Sequence, residues 1–215
     1  MYNLVKKDFK LGVHPMYLLM PVLTGALMLV PGWIYFLVLL YFCWITIPNM
    51  FGGFRAQNDL MFTTMLPVTK PDMVKARVTV IVSLELLHIA LAVLFGIVNR
   101  FLYPNLEYYF FAPSIGFLGL CFAMLAIFNA IFIPMYYKTA YHFGRAAYTS
   151  IGFAMLFAGC AQWAGVQSPV LFDLFNGDGH LAQHILILIA GIALFAGCTL
   201  IAYRAAVKRF LQVEI

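Results

Sequence analysis

The chain has 215 residues, of which 64% are hydrophobic and only 10% charged, and its mean hydropathy is +0.94. A soluble core of this size needs a charged shell that so few charges cannot make, so the composition excludes a soluble globular domain and indicates an integral membrane protein. The net charge of +5 does not call for a nucleic-acid partner, because the basic residues sort by membrane side.

The chain opens on "YNLVKKDFKLGVH". Helical spacing puts Tyr2, Val5 and Phe9 on one face with Lys6, Lys7 and Lys10 elsewhere, the pattern of an amphipathic helix lying in the interface, with anionic membrane lipid as a partner. No A-x-A-like site follows the charges before Pro31, so the first apolar segment reads as retained rather than as a cleaved leader. About 20 apolar residues cross a hydrocarbon core as a helix. Six segments meet that measure, at roughly 15–31, 33–53, 78–98, 113–136, 147–166 and 182–203, and they predict a single all-α transmembrane domain over 1–215. Pro31-Gly32-Trp33 reads as the tight turn of a helical hairpin.

Positive charges set the orientation, because cytoplasmic loops retain Lys and Arg. Six spans place Arg100 alone on the outer side and the other twelve of the 13 Lys and Arg residues inside, so both termini are expected in the cytoplasm. The outer segment "NRFLYPNLEYYFFA" (99–112) reads as an aromatic interfacial belt. The second outer segment, 167–181, suits either short helices dipping into the bilayer or a surface loop.

Between the second and third spans lies a polar insert from about Arg55 to Arg77. Connections between antiparallel helices need roughly 2 to 8 residues, so this one is long enough for structure of its own. Phe54, Met61, Met65 and, slightly off register, Leu60 line one side of a short helix, with Arg55, Gln57, Asn58 and Asp59 facing elsewhere. Pro67 ends it. Thr69 and Asp72, with Pro71 in the first turn, form a capping box that starts a helix running into the third span. Such a helix either anchors the loop to lipid or docks on a cytoplasmic partner through its polar side.

Glu85 and His88, three residues apart, share one face of the third span. Glu85 lies roughly 11 Å into the bilayer, where an ionised group is costly unless it is paired or neutralised. The pair reads either as a proton or substrate site or as a hydrogen-bonded contact to a neighbour such as Asn129 on the fourth span. Cys43, Cys121, Cys160 and Cys198 lie in apolar runs without metal-like spacing and are expected to be core residues. Ser150, Ala154 and Ala158, then Ala193 and Gly197, recur at four-residue spacing and suit close helix packing, within the chain or between copies.

The chemistry of hydrolysis is missing from the sequence. It contains no GxxxxGK[ST] phosphate loop and no HExxH, CxxC or GxSxG motif. An enzyme is therefore not expected, and an ATP-driven function has to use a separate motor.

"LPVTKPDMVKAR", preceded by "QNDLMFTTM", resembles the segment after the second span in permeases of the ABC type-2 export family. The matching positions are Asn58, Asp59, Leu66, Pro67, Val68, Thr69, Lys70 and Lys75; the family's usual glutamate pair is absent, since Ala56 and Gln57 stand there. The resemblance implies that the insert is a coupling helix contacting an ABC ATPase subunit through Arg55, Asn58, Asp59, Met61, Phe62, Thr63, Leu66, Pro67, Thr69 and Lys70. It further implies a second permease copy, the same chain or a close paralogue, and ATP and magnesium held by the partner, with no cofactor in this chain. The layout is most similar to bacterial peptide exporters such as the phenol-soluble modulin exporter, which implies an amphipathic peptide substrate and a bacterial cell-membrane location. An ion-coupled transporter using Glu85 and His88, or a non-transporting immunity or assembly protein, are the alternatives.

Overall fold

The computed structural model describes residues 2–139, 142–177 and 179–213, and among them there are helices and no strands. An 11-residue helix, α1 (Tyr2–Gly12), meets α2 (Pro15–Gly25) at a sharp corner. His14 caps α2 by accepting from the Met16 amide through Nδ1 at 3.2 Å, and Pro15 stands in the first turn, where its missing N–H costs nothing. Helix α2 continues as a 3-10 turn, Ala26–Leu29, and the combined arm is bent by 75° from α1. Among the described residues, five helical segments are long and apolar enough to cross a membrane, and α1 together with the arm makes a sixth only if that bent pair is taken as one span. The segment at 15–31 is thus the least regular of the six expected spans.

At the hairpin turn Gly32 has φ +70°, a left-handed conformation that suits glycine, so the Pro-Gly-Trp signal identified a true turn. The second span is continuous from Phe36 to Ala56 but changes pitch twice: α3 (Phe36–Tyr41), a π-helical segment (Phe42–Thr46) and α4 (Ile47–Ala56). Pro48 explains the change, since it cannot donate to the carbonyl four residues back, and the widened turn absorbs the missing bond. Asn49 Nδ2 donates to the adjacent Ile45 carbonyl at 2.7 Å.

After the short α5 (Asp59–Thr64) comes α6 (Lys70–Leu102). Its 33 residues make a rod about 50 Å long, well beyond the roughly 30 Å of a hydrocarbon core. Helices α7 (Ile115–Tyr136) and α10 (Leu181–Leu211) form the tightest pair. Two glycines allow it: a Cβ on Gly191 would lie 2.2 Å from the Gly119 carbonyl oxygen, and one on Gly119 would lie 2.4 Å from that of Ile187. Helix α8 (Gly144–Gln167) buries Ser150, Ala154 and Ala158 within the bundle. The second small-residue stripe behaves differently, for Ala193 and Gly197 face outward, so it does not pack within the chain.

The two segments expected on the outer side pack against each other, and 167–181 contains a short helix, one of its two expected forms. Phe111 is buried between Phe36 and Phe175, while Phe101 and Tyr109 stay exposed. Residues 169–176 form α9 (Pro169–Asn176), and Asn176 accepts from the Ala112 amide at 2.7 Å and donates to the Phe110 carbonyl at 3.2 Å. Asn99, near the end of α6, donates to the Met28 carbonyl and accepts from the Tyr108 hydroxyl at 2.6 Å, tying the first hairpin to the same end. Cys43 and Cys121 are core residues as expected, but Cys160 is exposed on α8 and Cys198 is half-buried. Both lie on the outward sides of poorly covered helices, so apolar surroundings in the sequence did not distinguish core from lipid-facing positions.

Candidate functional site

The polar insert is folded by charge. Gly53 and Arg55 close the end of α4 by accepting from Gln57 and Asn58, and Asn58 then turns the chain in a left-handed conformation at φ 49°. Asparagine tolerates that region better than most residues, and the turn drives α5 back against the bundle. Asp59 and Thr63, one turn apart on α5, both point inward and are 4% and 3% exposed.

They meet an ionic cluster drawn from three distant parts of the chain. Lys7 Nζ on α1 donates to Asp59 Oδ1 at 2.7 Å and to the Thr63 hydroxyl, and it lies 3.1 Å from Asp8 Oδ1. Arg77 on α6 donates from Nε to Asp8 Oδ2 at 2.9 Å and from Nη2 to Asp59 Oδ2. The Arg77 guanidinium also lies 3.3 Å from the centroid of the Phe54 ring, a cation–π contact from α4. Two cations and two carboxylates therefore offset each other where neither pair is well hydrated, which is the condition for a buried ionic group to be tolerated. Burial pushes the Asp59 carboxyl up, but Arg77 and Lys7 outweigh it and hold it below its ordinary value. The cluster walls a cavity of 310 Å³ beside Phe54, Leu60 and Tyr137.

This arrangement keeps Phe54 inside and Arg55, Gln57 and Asn58 outside, as expected, but reverses the faces of α5. Asp59, expected to face a partner, is inside, and Met61, Phe62 and Met65 are 61%, 51% and 71% exposed. Charge pairing decides it: leaving two buried cations unanswered costs more than exposing three apolar side chains. Helix α1 is rotated rather than reversed. Leu4, Asp8 and Gly12 are buried and Tyr2 is exposed, while Val5 and Phe9 pack partly buried against the core and Lys6 and Lys10 face outward as expected.

The remaining predicted positions divide. Arg55 and Asn58 are exposed at the end of α4, Leu66 is half-buried and Pro67 exposed. Thr69 caps α6, its hydroxyl accepting from the Asp72 amide at 3.3 Å and donating to the Asp72 carboxylate at 2.6 Å. Lys70 does not face outward with them. Its Nζ donates to the Val213 carbonyl at 2.7 Å and lies over the Phe210 ring, so it ties α6 to the end of α10.

Glu85, His88 and Asn129 lie elsewhere, fully buried between spans. Asn129 Nδ2 donates to Glu85 Oε2 at 2.9 Å and to Thr199 Oγ1 at 3.2 Å, joining α6, α7 and α10. Glu85 and His88 share a face without bonding each other, since His88 Nδ1 pairs with the Leu84 carbonyl at 2.8 Å. Glu85 Oε1, His88 Nε2 and Asn129 Oδ1 have no hydrogen-bond partner among the described residues. The sequence reading missed Lys7, Asp8 and Arg77 as members of one site, and Thr199 as the third member of the other.

The chain matches the family model described as ABC-2 family transporter protein over residues 3–210. The chain belongs to the ABC-2 transporter family. No curated protein and no solved structure matches it. As an ABC-2 family chain it is a multi-pass membrane permease of an ABC transporter, a component whose family pairs with an ABC ATPase carried on a separate subunit. The match covers both the charge-locked insert and the Glu85–Asn129–Thr199 contact.

Proposed function

We propose that this ABC-2 permease exports an amphipathic peptide, with α5 as the element that receives the ATPase stroke. Two copies, or one copy and a paralogue, face each other, both termini lie in the cytoplasm, and the ATPase subunits below hold ATP and magnesium. Among the positions assigned to the contact, Met61 and Phe62 of α5 carry it, joined by the adjoining Met65 and rimmed by Arg55, Asn58 and Pro67. Asp59 and Thr63 work from behind, through Lys7 and Arg77, so that a push on α5 reaches α1 and the start of α6 together. Helix α6 then carries the displacement into the bundle as a rigid rod, and the pathway alternates between its two faces.

One observation carries this reading. In a segment too polar to span a bilayer, Asp59 and Thr63 of α5 are bonded inward and three large apolar side chains stand at the surface, an inversion that suits a docking face. The test is Met61→Asp with Phe62→Asp in the chain co-expressed with its ATPase. Co-purification of the ATPase, and stimulation of its turnover by amphipathic peptide, are expected to fall on the order of tenfold or more, as for other central interface anchors. The thermal midpoint of the permease is expected to stay within about a degree, since neither side chain packs inside. Undiminished co-purification would show that α5 rests on lipid instead.

A further inference from the structure

A second cavity, of 650 Å³, opens where α7 ends and α8 begins, and the coupling reading uses only Arg55 of its lining. Its lining includes Arg55, Lys138, His142 and Arg145, and no carboxylate among its described residues. Phe143, at the N-cap of α8, offers no side-chain bond to the helix. The first intrahelical bond runs from the Ala147 amide to Phe143 at 2.8 Å, so the amides of the first turn precede it at the positive end of a 24-residue helix. Basic side chains and a helix N-terminus thus converge on one cavity, a combination that attracts an anion.

The walls say which anion. Met135, Phe143 and Ala146 make one side of the cavity apolar. Helix α8 turns outward at once, with Tyr148 82% exposed, and continues into a span whose Phe153 and Leu156 also face outward. A ligand held here keeps its charge at the basic end of the bundle and its apolar part beside α8. We propose that this cavity binds the phosphodiester of an anionic phospholipid from the leaflet on the basic side, with Lys138 and Arg145 as its principal contacts. Basic pockets between membrane helices take lipid headgroups in this way, and a zwitterionic lipid, whose headgroup carries its own cation, gains little from them. The proposal is independent of the transported substrate.

The experiment is native mass spectrometry of the full-length permease released from micelles, titrated with phosphatidylglycerol and with phosphatidylcholine of the same acyl chains. The native chain is expected to prefer phosphatidylglycerol, and Lys138→Gln with Arg145→Gln to lose that preference on the order of tenfold. The charge-conserving pair Lys138→Arg with Arg145→Lys, and Lys75→Gln with Lys208→Gln, both exposed outside this cavity, are expected to keep it. A double Gln variant that retains the preference overturns the proposal. So does displacement of phosphatidylglycerol by inorganic phosphate, which would make this a site for a soluble anion. Loss of ATPase co-purification in the double Gln variant, with lipid preference unchanged, would make the surface a protein contact and equally overturn it.

Discussion

Asp59 shows how one side chain sets the geometry around it. Its carboxylate answers Lys7 and Arg77 at once, so Asp59→Asn leaves both cations short of a partner in a poorly hydrated place. We expect a loss of about 3 kcal/mol, the low end for breaking a buried pair because Asp8 still faces Arg77, read as a lower thermal midpoint in detergent. The pH dependence follows from the same contacts. An acid held below its ordinary value, here 3.8, contributes stability that is present above that value and is lost as pH falls through the lower folded one. Midpoints measured from neutral pH downward should therefore separate the native chain from Asp59→Asn until about pH 4 and converge below it. None of this pairing was legible in the sequence. Asp59 stands 52 residues from Lys7 and Asp8 stands 69 from Arg77, and one sequence holds no sign of which distant charges meet. The Glu85–Asn129 contact was easier, because a polar residue inside a span has few other places to go.

At the scale of elements, the sequence was most informative where a local rule acts alone. The Thr69–Asp72 cap and the Pro31-Gly32 turn follow from their own few residues, and both were legible. Thr69→Ala should cost about 1 kcal/mol through loss of the cap, again as a lower thermal midpoint. The inverted face of α5 and the burial of Asp8 on α1 were not legible, because apolar periodicity reports which side of a helix prefers to be dry, and here ion pairing outweighs it. The π-helical segment had a local cause in Pro48, but whether a proline kinks a helix or widens one turn depends on what packs around it. The α7–α10 pair rests on Gly119 and Gly191, and only Gly197, where an added Cβ would meet nothing within 4 Å among the described residues, belonged to the spacing noticed in the sequence. Gly191→Val would push a branched side chain into the α7 backbone. We expect it to lower stability by about 1 to 3 kcal/mol, as an earlier unfolding transition in detergent, whereas Gly197→Val should leave the transition in place.

For the whole molecule, the class and five of the six expected spans were legible because hydropathy and length decide them, whereas sidedness depends on where each charge ends up in three dimensions. Lys7, Lys70, Arg77 and Arg209 all make contacts inside the protein: Lys7 and Arg77 in the ionic cluster, Lys70 with the α10 end, and Arg209 with the Pro134 carbonyl at 2.7 Å. They still belong to one end of the bundle with the exposed Arg55, Lys138 and Arg145, and Arg100 belongs to the other, beside Tyr103 at the end of α6. A positive-inside bias of that size is the ground on which we propose that the first end lies in the cytoplasm. Labelling with a membrane-impermeant maleimide checks it, starting from a chain with Cys160 and Cys198 replaced by Ser, since these two are the accessible thiols among the four. Glu107→Cys, on the exposed segment after α6, should react in intact cells, and Thr64→Cys, exposed at the end of α5, only after permeabilisation. The reverse pattern would put α5 outside the cell, out of reach of any cytoplasmic ATPase, and would remove the coupling role of the insert together with the orientation.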